Sequence, residues 1–140
     1  MERETDYILK EVKRITAFIR GLIDNISSLN CSEIEIGIKE TDDFIRKEWN
    51  LSFKEVISLN KIEFINRLNE LPEVHLENLA ELLSEIAKKI NTTDLENLYN
   101  KKEISNKGLI LMEIILEKTK TYSLKRLEIK KILKQQIYFF

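Results

Sequence analysis

Apolar side chains recur along most of this chain at the three- and four-residue spacings of an amphipathic helix. The longest such series consists of Ile8, Val12, Ile15, Ile19, Leu22 and Ile26. Its alternation of four and three is a heptad pattern, which Tyr7, Phe18 and Ile23 widen into the stripe of a bundle helix. The series predicts a long first helix over residues 5–27. Its stripe can face the core or a paired copy of the same helix, and we favour the core.

The segment that follows Cys31 allows two interpretations. Ile34, Ile36 and Ile38 alternate as they would in a β-strand, but the rest of the chain offers no strand to pair with them. Ile34 and Ile38 also share one helical face with Trp49, at the end of the segment. We therefore expect a helix here rather than a strand.

Signals for helix starts divide the middle of the chain. The segments 52–55 and 60–63 begin with Ser or Asn and end with Glu, at the spacing of a capping box or a close variant of it. Pro72 marks a boundary, because proline is tolerated in the first turn of a helix but not in its interior. The leucine and isoleucine spacing after it predicts a helix over about 73–90. Residues 33–90 are therefore predicted to form a helical core.

The C-terminal third continues the helical pattern. Two helices are predicted over 94–101 and 105–118, and a last one begins near Ser123. The complete prediction is a single all-α domain over residues 1–140, an antiparallel array of about six or seven helices. Within it, residues 93–136 form a helical hairpin followed by a basic C-terminal helix.

The stretch from Leu95 to Ser123 is similar to a tetratricopeptide repeat (TPR), a pair of antiparallel helices of about 34 residues. Leu95, Tyr99, Gly108 and Met112 fall where the repeat places large apolar, aromatic, small and large apolar residues. With the Asp-Tyr-Ile sequence in the first helix, the chain resembles short uncharacterised bacterial helical proteins that have a TPR-like C-terminal half. The resemblance implies a helical hairpin and partner binding, and it brings no catalytic residue.

The composition is that of a soluble globular protein, with 43% hydrophobic and 34% charged residues. The first residues lack the basic flank and apolar core of a signal peptide, and no apolar run approaches the ~20 residues of a membrane span. Cys31 is the only cysteine, so no disulfide can form within the chain. We expect a cytoplasmic protein that does not bind membranes.

Side chains with catalytic chemistry are few and scattered. His75 is the only histidine and lies in the first turn of a predicted helix, where partial exposure and no chemical role are expected. Cys31 is far from it in sequence, and the acids at 40–43 lack the spacing of an EF-hand. The sequence contains no phosphate-binding, dinucleotide-binding or nucleophile-elbow motif. We therefore predict no catalytic residue, no metal site, no cofactor and no enzymatic activity.

Three acids form a line on the helix predicted after Pro72. Glu77, Glu81 and Glu85 are spaced four residues apart. A di-metal carboxylate bundle would add Glu-x-x-His pairs, which this sequence lacks. The preferred interpretation is a solvated face in which Glu85 reaches Lys89 one turn later.

Charge is distributed unevenly along the chain. Residues 1–100 carry 13 basic and 20 acidic side chains, whereas residues 101–140 carry 10 basic and 4 acidic ones. The basic residues around the last helix are Lys118, Lys120, Lys125, Arg126, Lys130, Lys131 and Lys134. A basic helix can follow phosphates, so nucleic-acid binding is an alternative function, although the sequence pI of about 6.0 opposes it. The basic helix can equally lie against the acidic helices or form a solvated face.

The chain ends in the apolar residues Ile137, Tyr138, Phe139 and Phe140, which are candidates for an oligomer surface. They either dock into a groove of the same protein or pack against a second copy or a partner. The lack of catalytic constellations and the hairpin resemblance predict a non-enzymatic interaction module for a protein or peptide, with a homodimer as one possible form. We expect its groove to be lined by the helices between Glu73 and Lys134, with the basic residues named above as the candidate surface for a partner or nucleic acid.

Overall fold

A computed structural model describes residues 2–90, 99–120 and 123–138. The helices are α1 (Glu2–Ser28), α2 (Ile34–Trp49), α3 (Phe53–Ser58), α4 (Lys61–Leu68), α5 (Glu73–Lys89), α6 (Lys101–Thr119) and α7 (Leu124–Tyr138), with a 3₁₀ turn at Cys31–Glu33. These ranges contain no strand, which confirms the all-α prediction and the helical interpretation of the segment after Cys31.

Local capping interactions begin the short helices where the sequence predicts them. The Ser52 hydroxyl accepts the Glu55 N–H at 3.0 Å, and the Glu55 carboxylate accepts the Ser52 N–H at 3.0 Å. This reciprocal pair is the predicted capping box of α3. Asn60 caps α4 in the same way by accepting the Glu63 N–H at 2.9 Å, and Pro72 precedes α5.

The start of α6 differs from the sequence prediction. The helix begins at Lys101 rather than at 105, because the Asn100 side chain accepts the Glu103 N–H at 3.2 Å and caps it there. The predicted preceding helix over 94–101 lies almost entirely outside the described residues, which resume at Tyr99.

Helix α5 is the centre of the fold. Its apolar side chains are fully buried on several faces, namely those of Leu76, Leu79, Leu82, Leu83 and Ile86. Helices α1, α6 and α7 pack around it. Arg126 of α7 contacts Glu77 near the start of α5 and Thr119 at the end of α6, so α7 lies over both helices. The buried apolar side chains of all the helices form one cluster.

The heptad stripe of α1 faces the core only over the second half of the helix. Ile19, Leu22 and Ile26 are buried, whereas Ile8 is 60% exposed. Hydrogen bonds from Arg20 to α5 and from Lys89 to the end of α1 show that these two helices run in the same direction. The predicted core orientation is thus confirmed for the part of α1 that lies beside α5.

A fully buried lysine ties α6 to α3. The Lys107 side chain is 1% exposed, and its ammonium donates to the Val56 carbonyl at 2.8 Å and to Glu103 at 3.1 Å. It also lies 5.3 Å from the centre of the Phe64 ring. Because Val56 lies in the last turn of α3, the ammonium satisfies carbonyls that have no partner within the helix.

Substitution by alanine should have opposite effects on the free energy of unfolding at two glycines of neighbouring helices. A Cβ at Gly21 of α1 would meet no atom within 4 Å, whereas a Cβ at Gly37 of α2 would lie 2.9 Å from Ile26 and 3.1 Å from Leu29. Gly21→Ala should raise the free energy of unfolding by about 0.5–1 kcal/mol, because alanine favours the helix. Gly37→Ala gains the same propensity but should be destabilising by about 1 kcal/mol or more through overpacking. Urea unfolding of both variants measures this, and equal gains would contradict the close approach of α1 and α2.

Candidate functional site

One of several open cavities in the described part of the chain lies between α6 and α7. A glycine sets the distance between these two helices. A Cβ at Gly108 of α6 would lie 2.7 Å from a methyl carbon of Leu133 on α7. Ile129 and Leu133 lie on the core-facing side of α7 and are buried. The absence of a side chain at position 108 therefore lets α7 approach α6 closely on its core-facing side.

An apolar groove remains on the outer side of the same helix pair. Leu109, Met112 and Leu116 recur at three- and four-residue spacing along α6, and Leu127 faces them from α7. Together with Ile115 they line a cavity of about 230 Å³. The Leu127 residue is 47% exposed, so the groove is open to solvent.

Basic side chains form one edge of this groove. Lys130 and Lys134 lie one turn apart on α7 and line the cavity together with Arg126. The side chain of neither lysine makes an ion pair or hydrogen bond with the part of the chain that the structure describes. The acid at the groove, Glu113, is already paired with Lys61 of α4 at 3.2 Å. The groove therefore has an apolar floor and, along one edge, two lysine side chains that no described acid neutralises.

The other basic residues of the predicted surface mostly serve the fold. Arg126 donates to Glu77 at 3.0 Å, and Lys125 lies 3.2 Å from Glu81. Lys118 of α6 donates to the backbone carbonyl of Asn69. Of the seven predicted residues, those whose side chains make no ion pair or hydrogen bond with described residues are Lys120, Lys130, Lys131 and Lys134. The explanation in which the basic helix lies against an acidic one therefore accounts for Lys125 and Arg126.

The acidic line on α5 is not a solvated face, so that interpretation is wrong. Glu77 and Glu81 are largely buried, because α1 and α7 lie beside them and supply Arg20, Lys125 and Arg126 as partners. Glu85, which we expected to reach Lys89, pairs instead with Lys88 at 3.0 Å. The Lys89 ammonium donates to the carbonyls of Ser27 and Leu29 at the end of α1.

His75 is buried rather than partly exposed, which corrects the sequence expectation. It is 3% exposed, because α5 is central to the fold, and its ring centre lies 6.0 Å from that of Trp49. Burial lowers the pKa of the imidazole below its ordinary value, and the nearby Glu48 carboxylate opposes that shift only in part. Among the described residues, its Nδ1 atom has no hydrogen-bond partner. No acid of the described part of the chain accepts a hydrogen bond from this nitrogen to orient the ring, as a general base requires.

Two of the three acids at 40–43 have structural partners, Glu40 with Asn25 and Asp42 with two groups. Asp42 accepts the Phe53 N–H at 2.8 Å, which fixes the start of α3, and its other oxygen accepts from Arg46 at 2.8 Å. Among the described residues, no group of three or more His, Cys, Asp or Glu side chains is arranged to hold a metal ion.

The C-terminal aromatic residues fall largely outside the described part of the chain. Ile137 is half-buried on α7, and Tyr138 is the last helical residue, but its side chain and the residues Phe139 and Phe140 are not described. The oligomer surface predicted there stays a prediction. In the described ranges, none of the helices has the length and apolar character needed to cross a bilayer.

Comparison of this chain with models of protein families, with curated proteins and with solved structures found no match. The resemblance to bacterial proteins with a TPR-like half stays a prediction. The first helix of the predicted hairpin lies almost entirely outside the described residues. A different pair, α6 and α7, is antiparallel, since Gly108 lies against Leu133 and Thr119 contacts Arg126.

The buried histidine should make the stability of the protein depend on pH in mildly acidic solution. In the unfolded chain His75 binds a proton near pH 6.5, whereas the lowered pKa keeps the folded imidazole neutral at that pH. The unfolded state then binds more protons, so stability should fall as pH decreases from about 6.5 through the folded pKa. For one proton the slope is at most about 1.4 kcal/mol per pH unit.

Urea unfolding at several pH values between about 7.5 and 5.5 measures this slope, a range in which few carboxylates titrate. The matched control is His75→Gln, which carries no titratable group at this position. Because His75 is the only histidine, the control should lose most of the slope. An unchanged slope in the control would show that His75 is not the titrating group.

Proposed function

We propose that this protein is a non-enzymatic interaction module of the cytoplasm, which binds a segment of a partner protein in the α6–α7 groove. The observation that carries the proposal is a groove lined by the partly exposed Leu109 and Leu116, the buried Met112 and the 47% exposed Leu127, beside lysines without side-chain partners among the described residues. Apolar side chains left accessible at a groove are typical of protein-binding sites. The proposed location rests on the lone cysteine and the composition.

The size and shape of the groove favour a protein segment over a small molecule. Pockets that enclose cofactors or metabolites usually measure about 300–1,000 Å³ and cover most of the ligand. The cavity here measures about 230 Å³ and is open to solvent along the helices. That volume suits one or two apolar side chains of a larger partner, which is how helices dock into grooves.

Nucleic-acid binding is the second candidate, and one observation favours it. Lys130, Lys131 and Lys134 lie within two turns of α7, and their side chains make no ion pair with described residues. The groove beside them, however, is lined by aliphatic side chains and methionine, which give bases no aromatic surface to stack on. Phosphate contacts also gain nothing from an apolar floor. We therefore rank the protein partner first.

Selection from a displayed library of random helix-forming peptides tests the proposal. Selected peptides should bind the wild-type protein and lose about tenfold or more in affinity with Leu127→Glu, because the carboxylate would lie on the apolar floor. The matched control is Ile36→Glu on α2, where the replaced residue is 56% exposed and lies away from the groove. Circular dichroism checks that both variants stay folded.

One outcome of this selection would contradict the proposal. Peptides that bind Leu127→Glu as tightly as wild type would show that the groove is not the binding site. Oligonucleotide binding that weakens steeply with salt and with Lys130→Glu would favour the second candidate instead.

A further inference from the structure

We infer that the partner segment is an amphipathic helix with acidic residues along one side of its apolar stripe, whose carboxylates pair with Lys130 and Lys134. This inference rests on the proposed function and specifies the chemistry of the partner. It follows from how the protein distributes its ion pairs around α7.

The fold neutralises the basic residues of α7 on one face and leaves them unpaired on another. Arg126 and Lys125 point toward α5 and pair with Glu77 and Glu81. Lys130 and Lys134 line the groove together with Arg126, but unlike Arg126 their side chains have no acidic partner among the described residues. Glu113, the acid that also lines the groove, is paired with Lys61 of α4. A partner that brings carboxylates to this edge supplies the missing charge.

The spacing of these lysines matches a helix laid along the groove. Lys130 and Lys134 are four residues apart, so their side chains lie one turn, about 5.4 Å, apart along α7. Leu127 precedes Lys130 by three residues on the same side of the helix. A partner helix that lies along α7 therefore contacts the apolar floor. Beside that floor it meets two positive charges that are one helical turn apart. Carboxylates three or four residues apart on that helix reach both lysines.

The apolar floor selects against partners that carry charge without an apolar stripe. The groove residues of α6, Leu109, Met112 and Leu116, extend over two turns. An acidic segment without apolar residues would leave this floor uncovered. Exposed ion pairs each contribute little, so the apolar contact provides affinity and the lysines provide selectivity.

The test uses the same random library of helix-forming peptides and two protein baits. One bait is the wild type, and the other is the double variant Lys130→Gln and Lys134→Gln. Peptides selected on the wild type should be enriched in Asp and Glu beside an apolar stripe, and this enrichment should disappear on the double variant. The control bait is Lys39→Gln with Lys47→Gln, which changes the net charge equally at exposed positions of α2 and should retain the enrichment.

Affinities of individual acidic peptides provide the quantitative readout. They should fall about three- to tenfold on the double variant and less than about twofold on the control, as expected for two exposed ion pairs. The difference between wild type and double variant should shrink in about 0.5 M salt, because exposed charges are screened. Circular dichroism confirms that the baits are folded.

The outcomes separate this inference from the proposed function. Selected peptides that depend on Leu127 but are neutral or basic would overturn the acidic partner and leave the groove as the binding site. Absence of any peptide that depends on Leu127 would overturn both. Self-association of the protein that is lost in Leu127→Glu, or oligonucleotide binding that is lost in the double variant, would replace the acidic helix by a second copy or by nucleic acid.

Discussion

The burial of α5 is the constraint on which the rest of the structure depends. Its leucine and isoleucine side chains are fully buried on more than one face, and each contributes about 1.5–3 kcal/mol relative to exposure. No single neighbouring helix can cover such a surface. Helices α1, α6 and α7 are each held in place because α5 offers them an apolar face. The orientation of α1 parallel to α5 follows from this packing, not from the order of the helices in the chain.

The acidic side chains of the central helix are largely buried and therefore need basic side chains to pair with. Glu77 and Glu81 lie at the borders between α5 and its neighbours, where an unpaired carboxylate would be costly. Arg20 from α1 and Lys125 and Arg126 from α7 meet this requirement. Much of the contrast between an acidic first part and a basic last part of the chain is therefore structural. The side chains of Lys130, Lys131 and Lys134 have no partner among the described residues and are solvated in this structure.

The sequence predicts the local features of this fold well because their causes lie within a few residues. The capping box at 52–55 and the helix start after Pro72 depend on spacing that can be read directly. The burial of His75 and Lys107 could not be predicted in this way. The burial of each residue depends on which helices pack over it. A polar residue flanked by apolar ones gives the same local sequence pattern on a partly exposed helix as on a central one.

The position of the groove on α6 and α7 could not be predicted from the sequence for a related reason. Helix α6 is apolar around most of its circumference, so Leu109, Met112 and Leu116 cannot be distinguished from core residues until α7 is placed beside them. Apolar residues at positions 130 and 134 would cover that surface and add stability, as Ile129 and Leu133 do on the adjacent face. Lysines at these two positions keep the groove open at a cost in burial. Side chains of this kind form either a solvated face or, under the proposed function, the charged edge of a partner site.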